Sequence, residues 1–326
     1  MRNNFAARAV LCGALLAALI GCGPTYPKER FEESIVRICK DEYKLDVKVM
    51  TAGKTIAIYV PLTDLIDITL SITQAASEKI NDVILSVSRV ALSTDARYDF
   101  YCVIAHDIRV PEIQIVIIKS VDDVKRFMLN DISRSDYSKR MLIDIRMSPQ
   151  SQKERAVKEI FDKMSLDRKW QDQVMDDFFR GEPTALSDIG YWNDRFYIKD
   201  VTMPEFLAEQ ASNRVKMLFR ENKKLSELFF LKSVKNVYID RSGRRFFKMD
   251  ILVQEKGFKE LPRSDAARKV FEAVLDVTAP MLRSYRFTDF DHIEVVNQAD
   301  GSMISVSRDD LEEYRKKKAT FEDIVQ

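Results

Sequence analysis

Between Thr63 and Leu92, the apolar residues Leu65, Ile68, Ile72, Ala76, Ile80, Val83, Val87 and Ala91 recur at steps of three and four. That spacing sets them along one face of a helix with 3.6 residues per turn. At 1.5 Å per residue, such a helix would be about 45 Å long. A one-sided helix of that length needs a partner layer to cover its stripe. The flanking segments supply candidates: strands at 46–50 and 55–60 before it, and at 100–105 and 113–118 after it. A helix opened by Pro27, with Phe31, Ile35, Ile38 and Glu42 on one face, precedes the group, and a short helix from Asp122 follows it.

The second half reads in the same order. Thr202-Met203-Pro204-Glu205 is a capping-box pattern that opens a helix. Strands at 236–240 and 246–253 flank Arg241-Ser242-Gly243-Arg244. A helix from Ser264 follows, with Phe271 on its apolar side and Pro280 expected to kink it. Strands at 292–297 and 303–306 and a short helix complete the set. Ser120-Val121-Asp122-Asp123 and Ser307-Arg308-Asp309-Asp310 match as helix starts, with serine as cap and acids at the positive end. The expected fold is therefore α+β: two tandem helix–hairpin–helix–hairpin–helix modules with antiparallel sheets, over 22–145 and 201–326. A helical insert over 146–200 joins them.

The first 21 residues stand apart. Arg2 and Arg8 are their only charges, and Ala9–Ile20 is an uncharged run of a dozen residues. Crossing a bilayer takes about 20 apolar residues, so this run suits a signal-peptide core better than a membrane span. It ends in Leu19-Ile20-Gly21-Cys22, which resembles the lipobox of bacterial lipoproteins. The resemblance covers residues 1–23. It implies cleavage before Cys22 and diacylglycerol on that cysteine, with no other cofactor. It also implies placement at the periplasmic face of the outer membrane in a two-membraned cell, because Gly23 is not the aspartate that marks inner-membrane retention. Only residues 23–26 separate Cys22 from Pro27. Four extended residues reach about 13 Å, so the body is expected to lie against the bilayer.

Cleavage removes two of the 52 basic residues and none of the 51 acidic ones, taking the net charge from +1 to −1. A near-neutral chain has no electrostatic case for nucleic acid. Besides Cys22, the mature chain holds Cys39 and Cys102. They either pair as a disulfide, which an oxidising compartment permits, or serve as small buried apolar side chains.

Catalytic patterns are missing. His106 and His292 are the two histidines, and neither has a metal-ligand cluster beside it. The glycines are scattered, with no phosphate-cradling loop or nucleophile elbow. Two features point instead to binding. In 112–118, Ile113, Ile115 and Ile117 form one face of a strand, yet Val116 and Ile118 make the other face apolar as well. Something must cover them, either the insert or a partner chain. The second feature is an aromatic run that includes Trp170, Phe178, Phe179, Tyr191 and Trp192, which would mark core or an interface. Val116, Ile118, Trp170, Tyr191 and Trp192 are thus the candidate interface residues. The expected function is a non-enzymatic, membrane-apposed scaffold or accessory subunit with an envelope protein partner. The alternative is a carrier for an apolar ligand, with a cavity lined by residues such as Ile72, Ile80 and Phe271.

Overall fold

A computed structural model describes residues 25–67, 71–110, 113–147, 185–192, 194–257 and 263–325. Cys22, Trp170 and most of the helical insert expected over 146–200 lie outside them. The chain divides into two compact units. The first takes the described residues as far as Lys139, then 143–147 and Asp188–Asp200; the second takes Arg140–Leu142, 185–187 and Val201 onward.

In the first unit, α1 (Phe31–Tyr43) leads to β1 (Lys48–Ala52) and β2 (Thr55–Leu62). Next come α2 (Gln74–Leu92), β3 (Phe100–Asp107), β4 (Ile113–Ser120), α3 (Val121–Met128), α4 (Arg134–Lys139) and β5 (Leu142–Met147). The sheet order is β1-β2-β3-β4-β5. A small sheet of β6 (Gly190–Trp192) and β7 (Arg195–Tyr197) follows.

The second unit holds α5 (Met203–Glu221), α6 (Lys223–Leu228), β8 (Phe229–Arg241) and β9 (Arg244–Glu255). It continues with α7 (Arg263–Ser284), β10 (His292–Asn297), β11 (Met303–Ser307), α8 (Arg308–Arg315) and α9 (Phe321–Ile324). Its sheet order is β11-β10-β9-β8.

The expected antiparallel sheets are not found. β1 and β2 are antiparallel, as are β3 and β4, but β2 and β3 run parallel. In the second unit the parallel pair is β9 and β10. The reason is connectivity: α2 and α7 carry the chain back to the end of the sheet at which β2 and β9 begin, so the strands they join point the same way. The first unit also has a fifth strand, α4 and the β6–β7 pair, none of which recurs in the second. The protein is mixed α/β with sheets of five, four and two strands among the described residues, not a tandem pair of helix–hairpin modules with antiparallel sheets.

The long helix begins at Gln74, eleven residues later than the apolar period suggests. Thr73 is its cap and accepts from the Ala76 N–H at 3.2 Å. Upstream, Asp64 adopts a left-handed φ of 59°, and the Asp67 carboxylate accepts from the Ser71 N–H. The Leu65 N–H donates to the buried carboxylate of Asp107 at 2.8 Å. These side-chain-to-backbone bonds compete with the helix and win. Leu65 and Ile72 keep the helical spacing but belong to a loop.

Burial distinguishes the two sheets. β2, β3 and β4 are buried along almost every residue, whereas β9 and β10 alternate. The first sheet is therefore covered on both faces and the second chiefly on one. On the first, α1 buries Phe31, Ile35 and Ile38, and α2 buries Ala76, Ile80, Val83 and Val87.

The local helix signals hold. Thr202 and Glu205 form the capping box, and Ser120 and Ser307 cap α3 and α8. Pro280 lies inside α7, which continues to Ser284. The β8–β9 turn uses Ser242 and Gly243, both left-handed as a two-residue hairpin demands.

Candidate functional site

Three side-chain constellations stand out, two in the first unit and one in the second. The first lies on the sheet face that carries Val116 and Ile118. Strand register aligns Tyr59 with Ile104 and Val116, and His106 with Gln114. Gln114 is buried and grips the backbone of Tyr191: its Oε1 accepts from the Tyr191 N–H at 3.1 Å, and its Nε2 donates to the Tyr191 carbonyl. The Tyr191 ring stacks on Tyr59 at 3.9 Å. Lys48 Nζ donates to the Tyr191 hydroxyl at 2.5 Å and pairs with Asp194 at 3.3 Å. Tyr59 Oη lies 2.7 Å from His106 Nδ1. Arg146 adds a hydrogen bond to the Ile189 carbonyl. Residues 188–192 are thus strapped over this face.

The strap decides several sequence expectations. Val116 and Ile118 are 1% and 2% exposed, so neither offers a surface to another chain. Tyr191 is buried too, as part of the cover; Trp192 is half-buried. Close packing constrains the backbone here: a Cβ on Gly190 would come within 2.6 Å of Trp192 Nε1. At the opposite end of the sheet, the Asp200 carboxylate accepts from Lys54 N and Thr55 Oγ1, filling the space a Cβ on left-handed Gly53 would need. His106 contributes to the strap through Tyr59, and His292 stacks on Phe246 at 4.6 Å.

The second constellation is on the helix-covered face. Lys119 continues the core row of Ile115 and Ile117 and is 1% exposed. Its Nζ lies 2.8 Å from the Tyr137 ring centroid and 3.2 Å from the Tyr137 carbonyl oxygen. Burial pushes the ammonium down to about 7, against the pull of buried Asp123. Tyr101, wholly buried and cross-strand from Lys119, has its phenol pushed well above the usual range by burial. Lys119, Tyr101 and Asp123 are all enclosed.

Cys39 and Cys102 are free and buried. Burial raises both thiols, Cys102 to about 12. They act as small apolar side chains, and the disulfide considered for them is not formed. Ile80 and Phe271, expected to line a ligand cavity, are 3% exposed side chains in the helix layers of separate units. Ile72 is half-buried and bridged to Ile66.

The third constellation is open to solvent. Where α7 ends and α8 begins, a pocket of about 150 Å³ has a floor of Ala279, Leu282, Phe287, Phe290 and Leu311. Arg283, Arg286 and Arg308 rim it, with Asp309 and Glu312 beside them. α7 closes in a Schellman turn: Phe287 N donates to Leu282 O, Arg286 N donates to Arg283 O, and Arg286 takes a left-handed φ of 55°. Of its lining residues the sequence singled out Arg308 and Asp309, and those only as part of a helix start. The signal was faint: three arginines near apolar positions, spread over 26 residues.

Among the described residues there is no group of three or more His, Cys, Asp or Glu suited to a metal, and no helix long and apolar enough to cross a membrane. Set against known proteins, the chain matches no family model, no curated protein and no solved structure.

Proposed function

We propose that the chain is a lipid-anchored cell-envelope lipoprotein acting as a non-enzymatic, membrane-apposed scaffold or accessory subunit. The anchor is diacylglycerol on Cys22, and the proposed location is the periplasmic face of the outer membrane. The observation that carries the reading is the pinning of Tyr26. Its N–H donates to the Ser93 carbonyl at 3.3 Å, and it bridges to Thr94. The Lys28 N–H then donates to Asp95 at 3.0 Å. Only residues 23–25 are left to span from lipid to body, about 10 Å when extended. The end of the first unit at Ser93–Asp95 would then rest at the bilayer surface.

The use of polar groups supports docking over chemistry. Gln114, Tyr59 and His106 hold the strap, and Lys119 is enclosed. The open pocket of the second unit has arginines at its rim, and its two acids, Asp309 and Glu312, are paired with basic side chains.

Three measurements test this reading. Cys22→Ala should release the chain from membranes into the soluble fraction. A fluorophore on Thr94→Cys should be quenched by a headgroup quencher in vesicles carrying the lipidated chain. Crosslinking in native membranes should recover a protein partner. Membrane retention of the Cys22→Ala chain would remove the anchor, and a chain that crosslinks to nothing would remove the scaffold role.

A further inference from the structure

We infer that the pocket between α7 and α8 is a docking site for a peptide segment of a partner protein, one that presents an aromatic side chain flanked by acidic residues. This deepens the scaffold reading by giving the partner's chemistry, and it stands on geometry independent of the lipid anchor.

Size comes first. Ala279, Leu282, Phe290 and Leu311 are each at most 4% exposed, so the floor is core that reaches the surface. It is stiffened by rings: Phe287 stacks parallel to Phe290 at 6.2 Å, and both pack against Phe247. A volume of about 150 Å³ with apolar walls is room for one benzene-sized group. Drug-sized ligands use clefts of roughly 300–1,000 Å³, and an extended acyl chain needs a tunnel rather than a cup. The occupant is one ring-sized side chain.

Charge comes second. Both acids at the rim are already engaged. Glu312 pairs with Arg315 at 2.8 Å and with Lys316 at 3.3 Å. Asp309 lies 3.4 Å from Arg308. Arg308 also donates to the Thr288 carbonyl at 2.9 Å, which fixes its head beside the pocket. Arg283 and Arg286 make no ion pair with any described residue, and both are exposed. The rim therefore presents two uncommitted guanidinium forks, the geometry that accepts carboxylates in bidentate fashion. An apolar anchor in a pocket with a charged rim is how a peptide hot spot is built.

The test is fluorescence polarisation of an end-blocked, labelled peptide with the core Asp-Phe-Asp against the purified full-length chain. Saturable binding with a Kd below roughly 1 mM is expected. Replacing the peptide phenylalanine by alanine, or both aspartates by asparagine, should weaken it at least tenfold. So should Arg283→Ala with Arg286→Ala, two exposed changes that leave the core intact. Ala279→Met fills the floor while keeping both arginines, and should also block binding; thermal melting checks that it is folded. No saturable binding, or binding indifferent to the arginine pair, would overturn the proposal. So would displacement of the peptide by soluble dihexanoylphosphatidylglycerol at lower concentration than by unlabelled peptide, which would assign the pocket to a lipid headgroup. None of these outcomes depends on Cys22, so loss of the anchor reading and loss of the pocket reading are separable.

Discussion

Replacing Lys119 by methionine should remove a component of stability that grows with pH. The ammonium is enclosed between β4, α3 and the Tyr137 ring, and burial lowers it from 10.5 to about 7 in spite of Asp123. In the unfolded chain the same lysine titrates near its ordinary value of about 10.4. Between those values the unfolded state holds the proton and the folded state does not. Stability rises with pH where the unfolded state binds more protons, at up to about 1.4 kcal/mol per pH unit. From pH 7 to 9 the gain integrates to about 2 kcal/mol, which lowers the open population roughly 50-fold. In the unfolded chain the thiols titrate at about 8.5, inside this window, and oppose the trend because their folded values are raised, whereas the phenols titrate above it. The lysine contribution is therefore read as the difference between wild type and Lys119→Met, in which the thiol contributions cancel. Methionine fills similar volume without a charge, so the Lys119→Met chain should show none of this rise. The assay is native-state labelling of Cys102. That thiol is 0% exposed in the first unit and reacts only on opening. Labelling is located by peptide mass and corrected for the thiolate fraction of the open state. A change in the opening equilibrium between pH 7 and 9 that is the same in wild type and Lys119→Met would refute the reasoning.

Two further outcomes test the packing. Gln114→Ala strips the Tyr191 N–H and carbonyl of their partners, and a buried unpaired group costs about 1–3 kcal/mol. Residues 188–192 should lose hydrogen-exchange protection while α2 keeps its own. At the end of α8, Lys317 holds a left-handed φ of 58° in a Schellman turn where glycine is favoured. Lys317→Gly should raise the second unit's stability by about 0.5–1 kcal/mol in urea unfolding followed at Tyr314, and Lys317→Ala should not.

The sequence by itself determined what depends on near neighbours along the chain. The caps at Ser120, Thr202 and Ser307, the Ser242-Gly243 turn and the stripe of α2 from Ala76 to Ala91 are interactions within a few residues, so their spacing is their mechanism. The doubly apolar strand at Ile113–Ile118 was legible in the same way, as a demand for cover on both faces.

Only the tertiary structure decided what meets those local pieces. It set β2 parallel to β3, because strand direction follows from where α2 returns the chain. It shortened the long helix, because Asp107, some 40 residues on in the chain, claims the Leu65 N–H. It put Tyr191 over the sheet through Gln114, making a suspected interface residue part of the cover. Lys119 sits beside core isoleucines in the sequence, but its enclosure by Tyr137 and Asp123 is a through-space fact. The arginine rim joins the end of one helix, a turn and the start of another, and no single stretch of sequence carries it. Burial and electrostatics act between residues that the chain keeps apart, so periodicity and spacing could announce the need for partners without naming them.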